Sequence, residues 1–294
     1  MPLSQASSMS TLPINQVLLG DAIEVLKSLP DNSVDAVITD PPYAEVNRDY
    51  GRWTEQEWLS LMRDIVFECR RVLNPKGSAV FILQPNSSKL GSMRLWLWRF
   101  MLETGESWNI VQDAYWWNYT AMPLVHSHKK VGLLKGSVKP CVWVGDPDCY
   151  RDQESVLCEP ADLKATKRRA ERLEGTRRIR PSGASMDETR CAQLVLDRGG
   201  VAPFNLLPFS NANSVSSSGS HGHGAGTPIE LAKWWIRYLC PENGVILDPF
   251  MGAGTMALAA IEQNRDFIGV EKDPGYHAIA LSRIAQAQAL EVAA

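Results

Sequence analysis

Four short apolar segments of this chain each end at an acidic residue, and this pattern limits the fold more than any other feature. Residues 34–39 form a largely apolar run rich in β-branched residues, which predicts a strand buried on both faces. The acidic residues at the ends of the four segments are Asp21, Asp40, Asp248 and Glu271. Helical patterns separate the strands, so we predict an α/β fold with a parallel sheet and helices on both faces. The four carboxylates would then converge at the carboxyl edge of the sheet.

The segments between the strands carry apolar residues at helical spacing. Thr54 and Glu57 form a capping-box signature at the start of a helix predicted over residues 54–73. Further predicted helices cover residues 22–29, 90–103, 228–239, 255–263 and 275–290. Further predicted strands cover residues 78–83, 108–119 and 139–144. Thr227 is a candidate N-cap for the helix at 228–239, with Pro228 at its first position.

The length of 294 residues indicates one core domain with a sizeable insertion. We predict a flexible leader at 1–13, core halves at 14–146 and 228–294, an insertion at 147–204 and a mobile loop at 205–227. The six cysteines lack C-x-x-C spacing, and no apolar run approaches the roughly 20 residues that span a bilayer. We therefore expect a cytoplasmic protein with reduced thiols and no membrane partner.

A basic stretch lies inside the insertion. Between Lys164 and Arg180 there are eight basic and two acidic residues, although the net charge of the chain is −3. The basic residues are Lys164, Lys167, Arg168, Arg169, Arg172, Arg177, Arg178 and Arg180. Such a patch is typical either of phosphate contact in a nucleic acid or of a solvated helix face, and charge alone does not separate the two.

A glycine-containing turn at residues 248–255, DPFMGAGT, joins a predicted strand to a predicted helix. Glycine permits positive φ and close approach of a ligand, and the amides at the helix start can donate to an electron-rich group. Glu271, at the end of the next strand, is placed to bind a ribose diol. The combination indicates an adenosine-containing cofactor, whereas the turn alone would indicate only tight packing of helix on strand.

The string Asp40-Pro41-Pro42-Tyr43 directly follows the buried strand at 34–39. Two consecutive prolines remove two amide donors and stiffen the chain, so the Asp40 carboxylate and the Pro41 carbonyl become fixed acceptors. An exocyclic amino group that donates one hydrogen bond to each acceptor would present its lone pair to an electrophile. Tyr43 would stack on the base. A rigid turn at the end of a strand, with the tyrosine packed against its surroundings, would show the same string and have no catalytic role.

These strings carry a family resemblance. Residues 39–43, TDPPY, resemble the catalytic motif of the amino-methylating DNA methyltransferases, and residues 248–255 resemble their S-adenosylmethionine loop. Residues 267–271, FIGVE, resemble the ribose-binding strand of that family, and Asp273 and Tyr276 match the residues that commonly follow it. Gly20-Asp21-Ala22 resembles the segment near the cofactor adenine. A catalytic motif that precedes the cofactor loop is the permuted order of the β class.

The resemblance implies a circularly permuted Rossmann-like S-adenosylmethionine-dependent methyltransferase fold, with residues 147–204 as an inserted target-recognition region. The implied catalytic residues are Asp40, Pro41, Pro42 and Tyr43. The implied cofactor-binding residues are Asp21, Ala22, Asp248, Pro249, Phe250, Gly252, Gly254, Thr255, Glu271 and Lys272. The implied partner is double-stranded DNA, contacted by the basic stretch from Lys164 to Arg180. No metal is implied, and the resemblance is compatible with a monomer, a homodimer and a cognate restriction enzyme.

The resemblance favours adenine N6 as the target, because Asp at the first motif position usually accompanies adenine in this family and Ser usually accompanies cytosine. Cytosine N4 stays open as a target. The motifs are also compatible with a catalytically silent DNA-binding relative and with a methyltransferase acting on RNA or on a protein amide.

The segment before the predicted helix at 228–239 departs from the family pattern. Family members often carry His-Pro-Thr-x-Lys-Pro before the helix that precedes the cofactor loop, whereas residues 223–228 here read HGAGTP, with Thr227 in place of the Lys. We interpret His221 and His223 as loop residues, not as metal ligands. An aromatic cluster lies in the predicted strand at 108–119 and consists of Tyr115, Trp116, Trp117 and Tyr119. We expect most of these side chains to pack within the sheet.

Overall fold

The structure is a computed structural model that describes residues 12–46, 51–120, 133–134, 136–172, 177–179, 185–211 and 226–293. The chain divides into two compact units. A core unit combines Met1–Tyr150 with Leu206–Ala294, and a smaller unit consists of Arg151–Asn205. Across the described ranges, no helix combines the length and apolar character that crossing a membrane requires.

The strands are β1 (Gln16–Leu19), β2 (Val34–Thr39), β3 (Leu73–Ile82), β4 (Ser87–Lys89), β5 (Ser92–Met93), β6 (Ile110–Trp117), β7 (Val138–Gly145), β8 (Arg177–Ile179), β9 (Ser185–Asp187), β10 (Leu206–Pro208), β11 (Val245–Asp248) and β12 (Asp266–Glu271). The helices are α1 (Ala22–Ser28), α2 (Glu55–Val72), α3 (Trp96–Ser107), α4 (Leu163–Ala170), α5 (Glu188–Arg198), α6 (Ile229–Leu239), α7 (Thr255–Glu262) and α8 (Pro274–Ala293). An eight-stranded sheet in the core unit has the order β1-β12-β11-β2-β3-β7-β6-β10. The predicted alternation of strands and helices around a central sheet is confirmed.

The prediction of a parallel sheet is wrong at one strand. β7 runs antiparallel to both of its neighbours, β3 and β6, whereas the remaining neighbouring strands of the sheet pair in parallel. Two antiparallel neighbours can follow each other without the crossover helix that parallel neighbours require.

Residues 90–103 do not form one helix, contrary to the prediction. β4 and β5 pair as an antiparallel hairpin around Gly91, whose φ of 78° suits glycine, and α3 begins only at Trp96. The apolar residues before Trp96 imitate a helical pattern but are exposed; they are Leu90, Met93 and Leu95. Those inside α3, such as Trp96 and Phe100, are buried, so tertiary packing decides where the helix starts.

Helices cover both faces of the sheet. On one face, Trp58 of α2 and Phe100 of α3 make an edge-to-face contact at 5.4 Å between ring centroids. On the opposite face, Trp143 of β7 contacts Trp235 of α6 at 6.2 Å. The capping box at Thr54 is present, with its side chain accepting from the Glu57 amide. None of the six cysteines, all of which the structure describes, forms a disulfide.

In the described part of the smaller unit, the α-helices α4 and α5 pack against each other. Asp162 caps α4 by accepting from the Ala165 amide at 2.8 Å, and Asp187 caps α5 by accepting from the Arg190 amide at 3.0 Å. The unit covers residues 151–205, close to the predicted insertion at 147–204. Its assignment to target recognition stays a prediction.

Two predicted flexible segments fall largely outside the described residues. Of the leader at 1–13, the structure describes residues 12 and 13. Of the loop at 205–227, residues 212–225 lie outside the described ranges, together with His221 and His223. Leu206–Pro208 form β10, which pairs in parallel with β6, so this part of the predicted loop is a strand at the edge of the sheet.

Candidate active site

The proline turn and the glycine turn leave the same edge of two neighbouring strands. β2 and β11 pair in parallel, with Val37 opposite Leu247, so the strand ends at Thr39 and Asp248 lie side by side. Neighbouring strands are about 4.8 Å apart. The hydroxyl of Thr39 donates to Oδ1 of Asp248 at 2.6 Å and joins the two turns directly. β12 lies on the opposite side of β11, which brings Glu271 to the same edge.

Asp248 is a buried carboxyl group, only 4% exposed. Burial raises its pKa to about 7; hydrogen bonds from Thr39 and from the Phe250 amide oppose this shift, and the negative charges of Asp40 and Glu271 add to it. Three of the four predicted carboxylates are therefore close enough to interact. At neutral pH Asp248 is divided between its protonated and its ionised form.

Side chains from outside the proline turn hold it in place. The indole Nε1 of Trp58 donates to the Pro42 carbonyl at 2.5 Å, and the Asn86 amide donates to the Ala44 carbonyl at 2.7 Å. Within the described ranges no donor reaches the Pro41 carbonyl. The turn is thus fixed from α2 and from the segment after β3.

Both oxygens of the Asp40 carboxylate accept hydrogen bonds from hydroxyl groups. The Tyr43 hydroxyl donates to Oδ1 at 2.5 Å, and the Thr227 hydroxyl donates to Oδ2 at 2.9 Å. An ionised carboxylate offers about four lone-pair sites, so Asp40 can still accept an N–H donor. Asp40 is half-buried, whereas Tyr43 is 8% exposed, so most of the Tyr43 ring is covered.

The prediction of Thr227 as an N-cap is wrong. Pro228 occupies the N-cap position of α6, and no side chain of the described residues caps this helix. Thr227 is buried and its hydroxyl is directed to Asp40 instead. The contact joins residues 187 positions apart, which no local pattern could reveal.

Lys139 of β7 is a site residue that the sequence motifs did not indicate. Its Nζ lies 3.3 Å from the Tyr43 hydroxyl and over the ring of Trp116, at 4.6 Å from the centroid. Trp116 is fully buried, as expected for strand packing, whereas Trp117 and Tyr119 are 39% and 54% exposed. Lys139 belongs to no recognisable string, so only its position across the sheet could identify it.

The glycine turn has a backbone suited to a ligand. Gly252 and Gly254 have φ values of 54° and 85°, a region that favours glycine. The two oxygens of Glu271 accept from the Gly252 amide at 2.8 Å and from the Asp273 amide at 2.7 Å. No side chain caps the start of α7 among the described residues. Amide donors and a carboxylate at one strand end fit a ligand that carries a ribose and an anionic group.

The remaining residues predicted to bind the cofactor lie at the same edge. Asp21 caps α1 by accepting from the Ile23 amide at 3.0 Å, and its second oxygen lies 3.3 Å from the Nζ of Lys272. Ala22 is the first residue of α1 and Thr255 is the first residue of α7. Pro249 is buried and Phe250 is partly buried. β1 and β12 are parallel neighbours, which places the ends of these segments side by side.

The predicted DNA-contacting residues belong to the smaller unit. Five of them lie on or directly after α4 and are exposed; they are Lys164, Lys167, Arg168, Arg169 and Arg172. Arg177 and Arg178 belong to β8, and Arg180 lies outside the described residues. Among the described residues, no three or more His, Cys, Asp or Glu side chains are grouped to hold a metal ion.

Comparison with known proteins identifies relatives over nearly the whole chain. Residues 34–282 match a family model described as DNA methylase. The type II methyltransferase M.PvuII of Proteus hauseri is 27% identical over 292 residues, which cover 90% of this chain and 82% of that protein. The type II methyltransferase M.ScaI of Streptomyces caespitosus is 27% identical over 281 residues, which cover 92% of this chain and 82% of that protein.

Solved structures show the same fold. A PvuII DNA methyltransferase named as cytosine-N4-specific aligns with a TM-score of 0.67 at 21% identity, covering 92% of this chain and 90% of that chain. A DNA modification methylase of Thermus thermophilus, complexed with S-adenosyl-L-methionine, aligns with a TM-score of 0.57 at 20% identity, covering 92% of each chain. The chain therefore belongs to the N6/N4 family of DNA methylases and is a site-specific DNA amino-methyltransferase whose cofactor is S-adenosyl-L-methionine.

Proposed function

We propose that this methyltransferase modifies the exocyclic N6 amino group of adenine in double-stranded DNA. The observation that carries the proposal is the Asp40 carboxylate at the end of β2, beside the Pro41 carbonyl and next to the glycine turn. Two acceptors at this point match the two N–H donors of an exocyclic amino group. The choice of adenine rests on the carboxylate itself, since Asp at this position usually accompanies adenine in the family.

The reaction requires the amino nitrogen to be held in one orientation. S-adenosylmethionine supplies an electrophilic methyl group on a sulfonium. Asp40 and the Pro41 carbonyl accept hydrogen bonds from the two amino N–H groups, so the nitrogen lone pair points away from the turn. Asp40 also stabilises the positive charge that develops on the nitrogen. Such positioning can supply several kcal/mol of the rate enhancement.

The target base must leave the DNA duplex to reach Asp40. Extrusion costs a few kcal/mol, which contacts between protein and DNA must offset. Trp58 and Asn86 hold the turn through carbonyls that the base does not need, so the acceptors stay in position while the base enters. The rigid turn therefore reduces the reorganisation that the reaction requires.

At the cofactor end, Glu271 would hold the ribose of S-adenosylmethionine. Each oxygen of Glu271 accepts one backbone amide, from Gly252 or Asp273, and each keeps a lone-pair site for a hydroxyl donor. In this proposal, Asp248 does not bind the ribose. It shapes the turn by accepting from Thr39 and from the Phe250 amide.

The exposed basic residues of α4 contact DNA phosphates. Four of the eight residues of this helix are Lys or Arg, and all four are exposed. Phosphate contacts fix the register of the protein on DNA but carry no sequence information. We therefore assign these residues to affinity and not to the choice of the recognised sequence.

Cytosine N4 is the second candidate target. The solved structure with a TM-score of 0.67 is of an enzyme named as cytosine-N4-specific, and the family includes methylation of either amino group. The chemistry of the two transfers is the same, because both bases present an exocyclic amino group.

The deciding experiment is nucleoside analysis of DNA from cells that express the protein. DNA is digested to nucleosides, which are separated and identified by mass spectrometry, and cells that express Asp40→Ala serve as the control. N6-methyladenine that depends on Asp40 supports the proposal. N4-methylcytosine alone would replace adenine with cytosine, and the absence of both modified nucleosides would favour a silent DNA-binding relative. Methyl incorporation from labelled cofactor into RNA instead of DNA would also overturn the proposal.

A further inference from the structure

We propose that Lys139 is a positioning residue for methyl transfer, which acts through Tyr43 to hold the Asp40 carboxylate in its reactive orientation. The Nζ of Lys139 donates to the Tyr43 hydroxyl oxygen at 3.3 Å, and this hydroxyl donates to Oδ1 of Asp40 at 2.5 Å. The proposal rests on the assignment of Asp40 as the group that holds the amino nitrogen. It adds a residue that lies outside both sequence motifs.

The ammonium group of Lys139 is held from several sides. Lys139 is half-buried on β7, where it pairs with Trp116 of β6. Its Nζ lies over the Trp116 ring, at 4.6 Å from the centroid, and beside the hydroxyl end of Tyr43. Aromatic ring faces attract a cation, and the attraction is larger where water is excluded. The Trp116 ring and the phenol oxygen of Tyr43 therefore fix the position of the ammonium.

A fixed ammonium at this position restrains Asp40 through one intermediate group. A hydroxyl that accepts a hydrogen bond from a cation becomes a stronger donor, because hydrogen bonds in a chain polarise one another. Lys139 therefore strengthens the bond from Tyr43 to Oδ1 of Asp40. The Thr227 hydroxyl restrains Oδ2 independently. Together these contacts limit rotation of the carboxylate, so the lone-pair sites that remain point in a defined direction.

The first test compares Lys139→Met with Lys139→Arg in steady-state methylation of DNA. Methionine keeps an unbranched apolar stem but removes the charge and the donors, whereas arginine keeps both. We expect Lys139→Met to lower kcat by about ten- to a hundredfold, the size of effect that misplacement of a reacting group produces. The KM for the cofactor should change by less than about twofold, and Lys139→Arg should recover most of the rate. Lys27→Met is the matched control, because Lys27 is an exposed residue of α1.

A double-mutant cycle with Tyr43→Phe tests whether Lys139 acts through the phenol hydroxyl. If it does, Lys139→Met should cause no further loss of kcat in the Tyr43→Phe background, since coupled residues are not additive. Thermal unfolding of each variant separates a loss of rate from a loss of folding. If Lys139→Met does not fold, Lys139→Gln replaces it in the same cycle with the same expectations.

Three results would overturn the proposal. These are an unchanged kcat of Lys139→Met, a loss that appears only in the KM for the cofactor, and a full additional loss in the Tyr43→Phe background. In each case the wild-type protein still methylates DNA, so the assignment of function stands while the role of Lys139 is rejected. A wild-type protein that methylates no DNA would instead reject both.

Discussion

The hydroxyl of Thr39 donates to Oδ1 of Asp248 at 2.6 Å, although the two residues are 209 positions apart. Each residue ends a buried parallel strand, and the bond links the catalytic turn to the cofactor turn. Asp248 uses the same oxygen to accept the Phe250 amide at 3.0 Å. A single buried carboxyl group therefore sets the geometry of both turns.

This arrangement predicts a stability that depends on the protonation of Asp248. Its pKa in the folded state is raised to about 7 from 3.8, mainly by burial, so between these values the folded state binds more protons than the unfolded state. The contribution of Asp248 to the free energy of unfolding is therefore fully present below about pH 4 and is lost as the pH rises to about 7. One proton changes this free energy by at most about 1.4 kcal/mol per pH unit.

Urea unfolding of the wild-type protein and of Asp248→Asn across this pH range measures the effect. Asparagine keeps an acceptor oxygen for Thr39 and Phe250 but does not titrate. The difference in stability between the two proteins should shift in favour of Asp248→Asn as the pH rises. A difference that stays constant with pH would contradict the assignment.

Asp40→Ala is expected to lower kcat by about a hundredfold or more, because it removes an acceptor that orients the amino nitrogen. The affinity for S-adenosylmethionine, measured by calorimetry, should stay within about twofold of wild type, since Asp40 does not contact the ribose in our proposal. Asp40→Asn keeps the size of the side chain and shows how much of the effect depends on charge. A fully active Asp40→Ala protein would remove Asp40 from the mechanism.

Glu271→Ala is expected to weaken cofactor binding by about ten- to a hundredfold, because hydrogen bonds to a charged group contribute roughly 1.5–3 kcal/mol. Calorimetric titration with S-adenosylmethionine measures the change. Glu262→Ala is the control, since Glu262 ends α7 with a side chain that is 48% exposed. Equal affinities of Glu271→Ala and wild type would exclude Glu271 from the cofactor site.

Thr227→Val is expected to lower kcat by a few-fold to about tenfold, because it removes the hydroxyl that donates to Oδ2 of Asp40. Valine has a similar shape, so the fold should be kept. Thr227→Ser retains the hydroxyl and should retain most of the activity. If the Val and Ser variants were equally active, the hydroxyl would have no role in the reaction.

Removal of basic side chains from α4 is expected to weaken DNA binding and to reduce its dependence on salt. Each lost phosphate contact should lower the slope of log K against log salt by about 0.9. The variant carries Lys164→Ala, Lys167→Ala and Arg168→Ala. A control of equal charge carries Lys27→Ala, Arg63→Ala and Lys76→Ala, at exposed sites of the core unit. Equal salt slopes for the two variants would exclude α4 from the DNA contact.

Much of the fold could be predicted from local patterns in the sequence. The buried strand β2 has the bounds that its apolar run predicts, and the Thr54 capping box is present at the start of α2. Prolines after β2 and glycines after β11 identified the two turns. Such signals act over a few residues, because periodicity, capping and allowed backbone angles are properties of short segments.

The tertiary structure alone decided which side chains meet around Asp40. Thr227 resembled a helix cap in the sequence but donates to Asp40, and Lys139 belonged to no motif but lies against Tyr43. The reversed direction of β7, which carries Lys139, was also unpredicted. These contacts join residues 187 and 96 positions apart, so they depend on how strands pair and helices pack over the whole core. The sequence determined the acceptors and turns of the site, whereas packing between distant segments determined the groups that orient them.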